Sequence, residues 1–156
     1  MNLFLLEVLA ICFYFASSVT LIKDIKENRL KKLALALAWL AFFTHFLSLS
    51  LCTWQEQGID FSFFHTASII SLIIACLLLV ASFSKPVETL GIALFPIAAS
   101  MLLLDMAYPN LNPVPQDYSS AMNVHILSSI IAFSLLTIAA FQASLLALQN
   151  KQLKSH

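Results

Sequence analysis

The stretch Leu33–Trp54, LALALAWLAFFTHFLSLSLCTW, runs for 22 residues without an Asp, Glu, Lys or Arg. As a helix rising 1.5 Å per residue it extends about 33 Å, enough to cross roughly 30 Å of hydrocarbon. On one side it follows the charged run Lys23–Lys32, and on the other it gives way to the polar loop Gln55–Asp60. Its only ionisable side chain besides a cysteine is His45. A charge-free run of this length between polar flanks reads as a membrane-spanning helix.

The same pattern recurs in both directions. Residues 3–22 form an apolar run before the charged stretch. Residues 65–83 form a third and stop at Ser84-Lys85-Pro86. Residues 89–107 form a fourth, ended by the proline-rich loop that begins Tyr108-Pro109. Residues 123–148 form a fifth, with Lys151 and Lys154 just beyond. The composition agrees: of 156 residues, 60% are hydrophobic and 10% charged, against about a quarter charged in an ordinary soluble domain. The expected fold is all-α, a polytopic membrane bundle of five transmembrane helices forming one domain over residues 1–156. Pro96 falls inside the fourth span, where membrane helices tolerate proline if neighbours satisfy the freed backbone.

Charge fixes the expected orientation. All eight Lys and Arg residues lie in the first loop, the third loop or the C-terminal tail, and none in the second or fourth loop. Short basic loops face the cytoplasm, so the N-terminus is expected outside and the C-terminus inside. Trp54, Tyr108 and Tyr118 then belong to the outer aromatic belt. Met1–Leu6 carries no Lys or Arg, so the first span is expected to be a retained helix rather than a signal peptide. No basic stripe with interleaved aromatics is present, so nucleic acid is not an expected partner. Cys12, Cys52 and Cys76 form no CxxC or haem-attachment motif, and at least two are expected to be small buried apolar residues. Ser68, Ser71 and Ala75 in the third span, and Ser128, Ala132 and Ala139 in the fifth, are expected at close helix contacts.

Ionisable groups at membrane depth are costly and mark sites. His65 and His125 lie within about one turn of the outer boundary, and His45 roughly 14 Å inward from Trp54. Glu7 and Asp105 also belong to the outer halves of their spans. An imidazole at headgroup level is satisfied by water or a helix end, whereas His45 requires an internal partner, such as a serine or carbonyl on a neighbouring helix. Asp105 is placed to face a histidine across the bundle and set its tautomer. No HExxH motif and no paired helical carboxylates are present. Histidines from several helices, with Phe42, Phe43, Phe46, Phe63, Phe64 and Phe133 nearby, suit a flat apolar ligand with a central metal, and haem is the obvious candidate.

The segment Asn123-Val124-His125-Ile126-Leu127-Ser128-Ser129-Ile130-Ile131-Ala132-Phe133, continuing through Ile138-Ala139-Ala140 to Ala147-Leu148, resembles a signature of the cytochrome c assembly superfamily, in particular its HemX/YpjD-like branch of inner-membrane proteins. His45 midway along the second span and the short connection after the third agree with that resemblance. It implies haem handling at the outer leaflet of a bacterial inner membrane. His125 matches the family's outward histidine, an axial ligand to haem iron. His45 matches the histidine of the second span, whereas His65 matches no family position. The family's tryptophan-rich outer segment and further helices have no counterpart here, so the chain resembles the N-terminal half of that fold. The missing half, or other membrane assembly proteins, would be partners.

The leading expectation is therefore a haem-binding assembly factor that is not an enzyme, with His125 as ligand and His45 or His65 as a second ligand or relay. An accessory subunit without cofactor is the alternative. A third reading is a small transporter with His45 and Asp105 as a proton relay, although no inverted repeat supports it.

Overall fold

In a computed structural model of the chain, residues 3–27, 29–55, 62–109 and 119–154 are described. They form helices α1 (Leu3–Glu27), α2 (Lys31–Gln55), α3 (Phe63–Ala81), α4 (Gly91–Ala107) and α5 (Ser120–Lys154), with a single 3-10 turn, Glu88–Leu90, leading into α4. No strand occurs among the described residues. All five helices are long and apolar enough to cross a membrane, so the chain is an all-α, multi-pass membrane protein. Side chains of Trp54 and all of Tyr118 lie outside the described set, whereas Tyr108 is exposed at the end of α4.

The helices run further than the apolar spans do. α1 continues through Lys23–Glu27, and α5 reaches Lys154. Hydrocarbon thickness limits where charges begin, but Lys and Glu are good helix formers and carry the helix on into the polar phase. The side chain of Asp24 then closes the connection to α2, its Oδ1 accepting the Leu30 N–H at 2.7 Å.

α1, α2, α3 and α4 form a ring of up-and-down neighbours, and α5 is added on the outside of α3. The inward stripe of α1 is Leu6, Ala10, Tyr14, Ser17 and Leu21; that of α2 is Ala34, Ala38, Ala41, His45 and Ser48. Both stripes follow the spacing of one helical face. In α2 the repeated Leu-Ala pattern is thereby sorted by face: Ala34, Ala38 and Ala41 go in, and Leu33, Ala36 and Leu40 face outward. With lipid outside there is no gain in burying leucine, whereas small residues let backbones approach and gain dispersion. Ser17 Oγ, for example, reaches across to the Ala34 carbonyl at 2.8 Å.

Pro96 sits within an unbroken α4. Proline lacks the N–H that would bond the carbonyl four residues earlier, here Ile92. Ser18 Oγ of α1 donates to that carbonyl at 2.9 Å, so the freed acceptor is satisfied by a neighbouring helix. Immediately before it, Gly91 allows Phe95 to fold back and Leu21 to approach. A Cβ at Gly91 would stand 2.5 Å from Phe95 Cε2 and 2.9 Å from Leu21 Cδ1. Phe95 in turn stacks on Tyr14, at 5.8 Å between ring centroids.

Two packing expectations are corrected. Ser68, Ser71 and Ala75 are buried as expected, but Ser128, Ala132 and Ala139 are exposed, because α5 meets α3 through Ile130 and Ser134 instead. The cysteines are not fully buried: Cys12 is exposed, and Cys52 and Cys76 are half-covered. A thiol facing lipid has no burial to gain inside, so the soluble-protein expectation does not carry over.

Candidate functional site

Asp24 and Glu88 stay at the lysine-bearing end, whereas Glu7, Asp105, His45 and His65 lie toward the opposite end. The basic end is marked by an ion pair between Lys31 Nζ and Glu88 Oε1, joining the start of α2 to the turn before α4. At the other end, four polar contacts link four helices. Ser48 Oγ of α2 donates to Glu7 Oε1 of α1 at 3.1 Å. His65 Nδ1 of α3 lies 3.1 Å from Asp105 Oδ2 of α4. His45 of α2 is wholly buried, between Tyr14 Oη of α1 at 3.3 Å on Nδ1 and Ser68 Oγ of α3 at 3.1 Å on Nε2.

The helical spacing explains the convergence. Glu7 and Tyr14 are seven residues apart on α1, His45 and Ser48 three apart on α2, and His65 and Ser68 three apart on α3. Each pair lies on one face, so each helix offers an outer and an inner polar group to the same seam. Asp105 completes the outer layer from the end of α4, as a carboxylate that fixes the orientation of an imidazole through its Nδ1. Both nitrogens of His45 bond hydroxyls, which donate or accept with equal ease, so either neutral tautomer is fully satisfied in the same heavy-atom positions. Below the seam, Phe95, Leu78, Leu79 and Leu94 close the interior with apolar side chains.

The three histidines expected to share a cofactor are thus divided. His45 and His65 belong to one buried seam, with His65 only 6% exposed. His125 is exposed on α5. At about 100° per residue it lies about 140° from Ile130 and about 180° from Ser134, the residues that meet α3. It therefore shares a face with Ser128 and Ala132, uncovered by the rest of the described chain. The phenylalanines do not enclose His45 either. Phe43, Phe46, Phe63 and Phe133 are exposed, and Phe42, Phe43 and Trp39 pack on one another along the side of α2.

This geometry tests the fit to haem residue by residue. His45 has both nitrogens engaged by hydroxyls and no exposed edge, so it does not fit an axial ligand. His65 is enclosed beside Asp105. His125 presents an exposed imidazole beside small side chains, the arrangement a flat macrocycle can approach. Among the described residues no three His, Cys, Asp or Glu side chains come together as a metal-binding group. A cleft of about 250 Å³ lies between the turn before α4 and α5, lined by Pro86, Leu90, Gln142, Leu145 and Gln149, and no histidine borders it.

The sequence reading missed Tyr14, Ser48 and Ser68 as members of the seam. Tyr14 could have been found as the tyrosine on the same face as Glu7; the serines carry no signal that sets them apart from other membrane serines. Comparison with protein-family models, curated proteins and solved structures returned no match.

Proposed function

We propose that the chain is a haem-handling protein of a bacterial inner membrane, acting in cytochrome c maturation by holding haem near the outer leaflet. The observation that carries this reading is the placement of His125, exposed at the start of α5 on a face of small side chains that the other described helices leave open. The resemblance of Asn123–Phe133 to the cytochrome c assembly signature supports the same residue. Haem iron, when present, takes imidazole nitrogen as an axial ligand. In this reading His125 supplies that nitrogen, Ser128 and Ala132 give the macrocycle room, and exposed Met122 and Leu136 offer apolar cover.

The protein binds and presents rather than turns over. Its orientation follows the positive-inside rule: the lysine-bearing end is cytoplasmic and His125 lies toward the outer side. A further ligand to the iron would have to be supplied by a partner membrane protein.

Detergent-purified protein from haem-supplied cells tests the ligand. A Soret band is expected that His125→Ala abolishes and His45→Ala leaves in place. A colourless wild type, or a His125→Ala spectrum identical to wild type, overturns the reading. The complete hydrogen bonding of His45 favours a second reading, an accessory subunit without cofactor in which imidazoles hold helices together. It predicts co-purification with a larger membrane partner and no pigment.

A further inference from the structure

The buried seam has a property that helix packing alone does not require. Two arms lead inward from the lysine-free end, each starting at a carboxylate. One runs from Glu7 to Ser48, with His45 one turn deeper on α2. The other runs from Asp105 to His65, with Ser68 one turn deeper on α3 and bonded to His45. Both arms meet at a single imidazole. A gap of one helical turn is short enough for a hydroxyl rotation or one bridging water to span.

Among the described residues the chain of exchangeable groups stops beyond His45 and the Tyr14 hydroxyl bonded to it. Tyr14 is stacked on Phe95, and the next hydroxyls toward the basic end are committed to backbone carbonyls: Ser17 to Ala34, and Ser18 to Ile92. A carbonyl oxygen accepts a hydrogen bond but carries no proton to pass on. A cation route would need about six converging oxygens, whereas this one ends on an imidazole flanked by two hydroxyls that reverse direction freely.

We propose that this seam is a proton-uptake site, entered from the lysine-free end along two carboxylate-headed arms and terminating on His45. A proton from water is taken up at the His65–Asp105 pair and reaches the Ser68 hydroxyl as that hydroxyl hands its own proton to His45 Nε2; His45 Nδ1 then releases its proton to Tyr14 Oη, which passes its phenolic proton through water toward Ser48 and Glu7. The same steps run in reverse from Glu7, and in either direction one proton enters, one leaves and every group of the relay regains its starting composition. The titratable groups facing His45 and its relays are Glu7 and Tyr14 from α1, His65 and Cys76 from α3, and Asp105 from α4. His125 of α5 is turned away. The site is a half-route by construction, and it does not depend on haem.

Exchange of the His45 ring proton tests it, using the full chain uniformly labelled with 15N, held in lipid nanodiscs and transferred to D2O. The expected result is loss of the His45 N–H signal while the core amides of Leu78, Ala99 and Leu102 remain protected. Glu7→Gln combined with Asp105→Asn is expected to slow that loss about tenfold, equivalent to about 1.4 kcal/mol of added barrier. Ser17→Ala, on the closed side, where the hydroxyl is bonded to the Ala34 carbonyl, is expected to leave the rate unchanged. A wild-type ring proton as protected as the core amides overturns the proposal without recourse to any variant. So does exchange that the paired carboxylate substitutions leave at the wild-type rate, because the proton then arrives by local opening.

Discussion

The carbonyl of Ile92 shows how one proline in α4 is made tolerable. It accepts from Ser18, a residue 74 positions away in the sequence, in place of the N–H that Pro96 lacks. Ser18→Ala leaves that carbonyl unpaired in an apolar interior and is expected to cost about 0.5–2 kcal/mol, the range for interhelical bonds in membranes. Denaturation in mixed micelles would register it, with Ser100→Ala, whose hydroxyl bonds within its own exposed turn, as a near-neutral control. Gly91→Ala is expected to be worse, because Phe95 must leave both its stacking on Tyr14 and its place over Gly91. An overpacked site of this kind costs about 1–3 kcal/mol. That Pro96 needed a neighbour was legible in the sequence, and so was the need of His45 for an internal partner. Which serine answered was not, since nothing local distinguishes Ser18 or Ser68 from the serines that bond back to their own helix.

At the scale of the elements, α5 is the helix whose length was read more easily than its role. Its apolar run marks it as a span, but small residues occur on more than one side of it. Ser128, Ala132 and Ala139 follow one helical face as well as Ile130 and Ser134 follow another. The choice was settled by α3, which receives the second face because the ring of four is already closed. Substituting leucine on each face separates them: Ser134→Leu is expected to destabilise the bundle by about 1–3 kcal/mol through overpacking, and Ala132→Leu to change its stability little. Thermal melts in detergent, followed by circular dichroism, would show the difference. If Ala132→Leu instead removes pigment or a co-purifying partner while the fold stays intact, the open face is where that component sits.

For the whole molecule, alternation of charged and uncharged connections gave five antiparallel spans, and the contacts agree: the end of α1 meets the starts of α2 and α4, and the start of α3 meets the end of α4. Such up-and-down order was legible because each short loop forces a reversal. The grouping of four helices in a ring with α5 outside was not, because apolar surfaces alike in lipid carry no preference for a neighbour. A membrane-impermeant maleimide tests the orientation in intact cells, in a background with the native cysteines replaced. Ser119→Cys is expected to react from outside and Lys85→Cys only after permeabilisation; the opposite pattern would invert the assignment of the seam to the outer side. The Asp24 bond across the first connection has a consequence for biogenesis. With the turn fastened by its own aspartate and two small-residue faces already opposed, α1 and α2 can leave the insertion machinery as a finished hairpin. That hairpin already carries Glu7, Tyr14, His45 and Ser48, so these four groups are opposed before α3 and α4 pack Ser68 and Asp105 against them.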